Sequence, residues 1–144
     1  MSEDLPAVER FYGRLLAEEH GRDVTMEEQG RGEEYLAAVM GNPLATLLVA
    51  EVGDEIVGFL SGVIAAGETP RKAIKLGVIE CVFVDESQRD VGMGGRLVDK
   101  FTAWARAHGA ERVQVVVSAK ADLSAEFFKH FSFAPYQVIL ERVL

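Results

Sequence analysis

The stretch VIECVFVDESQRDVGMGG, residues 78–95, restricts the fold of this chain more than any other. Val78, Ile79, Val82, Phe83 and Val84 make an apolar, β-branched run of the kind that is buried as a strand. An acidic turn follows at Asp85 and Glu86, and then Arg89, Gly92 and Gly94 in the order R-x-x-G-x-G. From Gly94 onward the period is helical, with Leu97, Val98, Phe101, Trp104 and Ala105 on one face. A strand, a glycine-rich turn and a helix start aim backbone N–H groups and the positive end of a helix dipole at one point. That is a site for an anion such as a pyrophosphate.

The remaining elements follow from the same periodicities. Leu5, Val8, Phe11, Tyr12, Leu15 and Leu16 fit one helical face, with Asp4 as cap and Gly21 as stop. Tyr35, Leu36, Val39 and Met40 mark a short second helix that ends at Gly41, just before Pro43. Residues 46–52 and 56–65 read as strands joined by Gly53, Asp54 and Glu55, a hairpin connection. The strand of the central unit runs from about Lys75 to Val84, and its helix to about His108, with Gly109 closing it. Residues 112–118, RVQVVVS, are a further strand. Leu123, Phe127, Phe128 and Phe131 mark a fourth helix, and residues 137–144 a final strand. Strands separated by helices pair in parallel, whereas the hairpin pairs antiparallel. The expectation is an α/β fold, one domain over residues 1–144, with a mixed sheet and helices on both faces.

Bulk composition narrows the partners. A net charge of −8 in 144 residues leaves no basic face for phosphate-backbone binding, so nucleic acid is not expected. No apolar run approaches membrane-spanning length, and no membrane association is expected. Acidic residues in MSEDLPAVER stand where a signal peptide is basic, and Cys81 is the only cysteine. Both point to the reducing cytoplasm. His20, His108 and His130 have neither a paired carboxylate nor a second ligand at metal spacing, so they read as surface or capping residues and no metal is expected.

The glycine-rich loop has three rival readings. A dinucleotide fingerprint requires G-x-G-x-x-G opening a first βαβ unit. A phosphate loop of the Walker type requires Gly-Lys-Ser/Thr, and the chain has no Gly-Lys pair. A bare βα turn is the third. Against these, Arg89, Gly92 and Gly94 match [Q/R]-x-x-G-x-[G/A], between a buried strand and an amphipathic helix and within an order ααββ, βα, βα, β. The chain in this respect resembles the GNAT superfamily of acyl-CoA N-acyltransferases, from about residue 5 to its end.

That resemblance implies a GNAT-like sheet, splayed between the family's fourth and fifth strands, with acetyl-CoA or coenzyme A as cosubstrate. It implies that the backbone of Arg89, Asp90, Val91, Gly92, Met93 and Gly94 cradles the pyrophosphate. The pantetheine arm then lies along Val82, Phe83 and Val84. Asp90 departs from the family, which commonly has glycine or a basic residue there. A carboxylate beside a pyrophosphate opposes binding unless it faces solvent or pairs with Arg89 or Arg96. The implied acceptor is a small-molecule or peptide amine, and a homodimer is a frequent state among relatives.

Amide formation from a thioester needs a deprotonated amine, an oxyanion donor and a proton for the sulfur. By the resemblance, the backbone N–H of Val82 is the oxyanion donor. Glu80 is the candidate base, an ionisable residue inside an apolar strand. Strict alternation puts Glu80 on the face of Val82 and turns Cys81 to the opposite one. The alternative for Glu80 is a solvated carboxylate or one paired with Lys75 or Arg112. The family's acid is a tyrosine on the fourth helix, and that position is Phe128 here, which carries no hydroxyl. Phe128 then lines the cofactor site, and Tyr136 and Ser118 are the nearest substitutes as proton donor. The reading is an N-acetyltransferase working by direct transfer in a ternary complex. Its rivals are a transferase for a longer acyl group and a non-catalytic acyl-CoA-binding or regulatory domain.

Overall fold

The computed structural model describes residues 6, 8, 10, 31–66, 74–88, 92–117 and 122–144. Helix α1 (Arg31–Gly41) leads into β1 (Ala45–Val52) and β2 (Glu55–Ala66), then β3 (Lys75–Val84), α2 (Met93–Ala107), β4 (Ala110–Val115) and α3 (Asp122–Lys129). The sheet order is β1-β2-β3-β4. The first two pairings are antiparallel and β3–β4 is parallel, as a strand–helix–strand crossover requires. The β1–β2 hairpin turns through Gly53 and Asp54, with Gly53 at φ 62°. Of the expected first helix, Pro6, Val8 and Arg10 are helical, and Val8 is buried. Its other positions lie outside the described residues.

Two cores cover the two faces of the sheet. On one, Leu97, Val98, Phe101 and Ala105 of α2 pack against Val57, Leu60, Ile79 and Val84, joined by Phe128 of α3. On the other, Leu36 and Val39 of α1 pack with Val8 against Leu47, Phe59 and Phe83. Helices therefore lie on both faces. Alternation within the strands assigns each side chain to one core or the other, except where an extra residue intervenes. α2 lies close to the sheet because Gly62 and Gly77 supply its floor. A Cβ on Gly62 would collide with the Phe101 ring and come within 2.6 Å of the Val78 carbonyl oxygen. One on Gly77 would be 2.7 Å from Ala105 Cβ.

The chain ends differ from the sequence expectation. Residues 134–144 form no strand, and Val138 and Leu140 are 80% and 91% exposed. β-Branched composition gives residues 137–144 strand propensity, but a strand exists only where a ladder forms. Likewise β4 ends at Val115, short of the expected 118, and Val116 is exposed. Helix α3 stops at Lys129 because Ser132, at φ 69°, turns the chain out; Phe133 N–H then closes back on the Phe128 carbonyl at 3.2 Å.

Candidate active site

Strand β3 and the start of α2 carry most of the residues singled out above. The β3–β4 ladder ends at the Ile79–Val115 pair, and β3 continues as the partner of β2 to Val84. The acidic turn beyond it has a structural task. Asp85 Oδ1 accepts from both N–H and Oγ of Ser87, at 3.1 and 3.0 Å, which caps the 3₁₀ turn Glu86–Gln88.

The chain then reaches Gly92, the cap of α2, at φ 86° and ψ 7°. Only glycine adopts this left-handed conformation without strain. No side chain caps the helix, and its first backbone bond is Arg96 N–H to the Gly92 carbonyl at 3.1 Å. The N–H groups of Met93, Gly94 and Gly95 precede that bond and have no acceptor within the helix. Among the described residues, nothing beyond its chain neighbours lies within 4 Å of where a Gly92 Cβ would stand. A positive helix end with open space over its capping residue fits a diphosphate. Gly94 does something else. Its Cβ would lie 2.9 Å from the Phe127 ring, and that of Gly95 2.7 Å from Phe131. These two glycines admit the aromatic residues of α3 and its C-terminal turn against α2. Arg89, Asp90 and Val91 lie outside the described residues.

The expected alternation along β3 fails at Glu80. Ser61 pairs with Cys81 while Gly62 pairs with Ile79, so Glu80 is an extra residue, a β-bulge. The bulge puts Glu80 and Cys81 together on the α1 face, where Cys81 packs beside Tyr35. Val82 instead packs against the α2 core. Glu80 and Val82 are thus on opposite faces, and Cys81 is not turned away from Glu80. Phe83 and Val84 are core residues of the two faces, and the Val84 methyl lies 3.9 Å from where a Gly94 Cβ would be. Phe128 is 4% exposed, in edge-to-face contact with Phe127 and Phe133. His108 and His130 each bond a carbonyl one turn back, of Trp104 and Glu126, at their helix ends. Tyr136 is exposed; Ser118 and His20 lie outside the described residues.

A cluster that periodicity did not reveal surrounds Glu80. The Tyr35 hydroxyl, from α1, donates to Glu80 Oε1 at 2.9 Å and lies 2.6 Å from Ser61 Oγ. Burial, followed by the charges of Cys81 and Glu80, pushes loss of the Tyr35 proton above the usual tyrosine range. The only signal in the sequence was a tyrosine on the apolar face of a helix.

A family model described as the acetyltransferase (GNAT) family matches residues 10–133. The chain belongs to the GNAT family. Among solved structures, a transcriptional regulator from Bacillus halodurans is similar at 20% identity and a TM-score of 0.77, over 100% of this chain and 95% of its own. An aminoglycoside acetyltransferase from an uncultured soil metagenomic sample, in complex with sisomicin, matches at 20% identity and a TM-score of 0.71, over 99% and 90%. An aminoglycoside N-acetyltransferase in complex with CoA matches at 17% identity and a TM-score of 0.77, over 99% and 90%. At these identities the likeness establishes the GNAT fold. No curated protein matches the chain in sequence. Acyl transfer is the general chemistry of the family. Among the described residues there is no group of three potential metal ligands, and no helix is long and apolar enough to cross a membrane.

Proposed function

We propose that this GNAT protein transfers an acetyl group from acetyl-CoA to a primary amine, by direct attack within a ternary complex. The observation that carries the reading is Glu80, an exposed carboxylate raised on a bulge of the strand that leads into the α2 anion site. When bound, acetyl-CoA supplies an activated thioester with a thiolate leaving group. The backbone around Gly92 and the N–H groups of Met93 and Gly94 would hold its diphosphate, continuing into Arg89, Asp90 and Val91. The arm would run beside Val82, Phe83 and Val84, in a splay of the sheet beyond the last β3–β4 pair.

Glu80 attracts the acceptor's ammonium group and takes its proton, directly or through one water. That step matters because an ammonium of pKa about 10 is almost wholly protonated at neutral pH. The backbone N–H of Val82 donates to the acyl oxygen as charge develops there. Phe128 offers the leaving sulfur no proton, and a thiol pKa near 8.5 makes unassisted departure tolerable. The acceptor class is a small polyamine-like or aminoglycoside-like cation, consistent with an acidic chain of net charge −8. We place the enzyme in the cytoplasm.

Substitution of Glu80 by Gln tests the reading. Turnover falls and its pH profile moves upward, because the amine must then lose its proton to bulk water. An unchanged profile returns Glu80 to a structural role. A second reading, an acyl-CoA-binding module without turnover, draws on Phe128 being buried in the core where a hydroxyl would serve as acid.

A further inference from the structure

We infer that Tyr35 is a positioning residue, which orders the Glu80 carboxylate through a directed hydrogen-bond chain from Ser61 to Tyr35 to Glu80. The inference rests on the reading of Glu80 as the base that receives the acceptor's proton.

The direction of the chain follows from proton counting. A phenol has a single O–H, and here it goes to Glu80 Oε1 at 2.9 Å. The 2.6 Å contact with Ser61 must then run the other way, with Ser61 Oγ donating to the Tyr35 oxygen. Ser61 is 0% exposed on β2, and Tyr35 sits on α1 beside the buried Leu36 and Val39. Two elements anchored in the core thus aim one hydroxyl at one carboxylate oxygen. Each bond polarises the next, and a bond to a charged acceptor is the strongest in such a chain.

Glu80 has particular need of such a tether. As the extra residue of the bulge it has no opposite residue on β2 to fix its side chain, and it is exposed. A glutamate in that setting samples many rotamers. Tyr35 restricts it through one oxygen while the residue stays accessible from solvent to an incoming ammonium. Burial raises the Tyr35 phenol above the usual tyrosine range, which suits it to donate to Glu80.

The test compares wild type, Tyr35→Phe, Glu80→Gln and the double variant. It measures thiol release from acetyl-CoA with sisomicin, spermidine and a lysine-containing peptide, and acetyl-CoA binding by calorimetry. Tyr35→Phe lowers kcat about tenfold, the scale of one hydrogen bond to a charged group, and leaves acetyl-CoA Kd and KM unchanged. In the Glu80→Gln background the same change has no further effect. An undiminished kcat in Tyr35→Phe, with kcat lowered in Glu80→Gln, overturns the positioning role alone. So does an equal loss in both backgrounds, which is what a merely structural tyrosine gives. An unchanged kcat in Glu80→Gln, or a wild type inactive on every amine, overturns the reading of Glu80 and the positioning with it. If Tyr35→Phe does not fold, Ser61→Ala carries the test. It keeps the ring and the bond to Glu80, and predicts a smaller kcat loss that also vanishes with Glu80→Gln.

Discussion

Replacing Gly92 by alanine separates the two things this residue does. Its φ of 86° lies in the left-handed region, where an L side chain costs about 1–2 kcal/mol. Alanine also stiffens the unfolded chain, which returns about 0.4–1 kcal/mol. Among the described residues, no atom beyond the chain neighbours lies within 4 Å of the new Cβ, so they add no packing cost. The net destabilisation is therefore about 0.5–1 kcal/mol, or a fall in Tm of roughly 2–3 °C for a chain of this size. Coenzyme A binding responds far more, because the methyl stands in the open space over the start of α2. A loss of at least about tenfold in Kd, about 1.4 kcal/mol, is expected by titration calorimetry. Valine at this position adds the stiffness of a β-branched residue to the same strain and binds no better. Wild-type affinity in Gly92→Ala, with the small Tm shift, would refute the placement of the diphosphate there.

Other substitutions probe the frame. Gly62→Ala places a methyl against the Phe101 ring and 2.6 Å from the Val78 carbonyl oxygen, so urea unfolding should show a loss of about 1–3 kcal/mol. Ser132→Gly removes the strain of φ 69° at the end of α3 and should raise stability by about 0.5–1 kcal/mol in the same assay. Alkaline stability reports Tyr35. The unfolded phenol loses its proton near pH 10 while the folded one, raised chiefly by burial, keeps it; the unfolded state then binds fewer protons and stability falls as pH rises. Tyr35→Phe should abolish that share of the alkaline loss.

The central strand and helix were legible because their signals are local. The apolar run ending in an acidic turn places β3 at Lys75–Val84, and the helical face from Leu97 to Ala105 with Gly109 beyond it places α2. The glycine turn was legible in part for the same reason, with Gly92 standing as the left-handed cap of α2. What the sequence could not carry depends on partners distant along the chain. The bulge at Glu80 is defined by its register against β2, so counting alternate residues along β3 put Glu80 on the face of Val82 and away from Cys81, whereas it lies with Cys81 and opposite Val82. Tyr35 meets Glu80 across 45 positions, and nothing in α1 announces it. Gly94 looked like a residue that admits a phosphate, yet the space beside it is filled by Phe127. Residues 137–144 have the composition of a strand without the ladder that makes one.

The central claim is amine-dependent acetyl transfer, and the most direct measurement is coenzyme A release from acetyl-CoA with mass detection of the acylated amine. One acetylated amine is expected for each thiol released, with no release when the amine is withheld, and a large loss of both in Glu80→Gln. Saturable acetyl-CoA binding with no turnover on any amine would contradict it and leave an acyl-CoA-binding module.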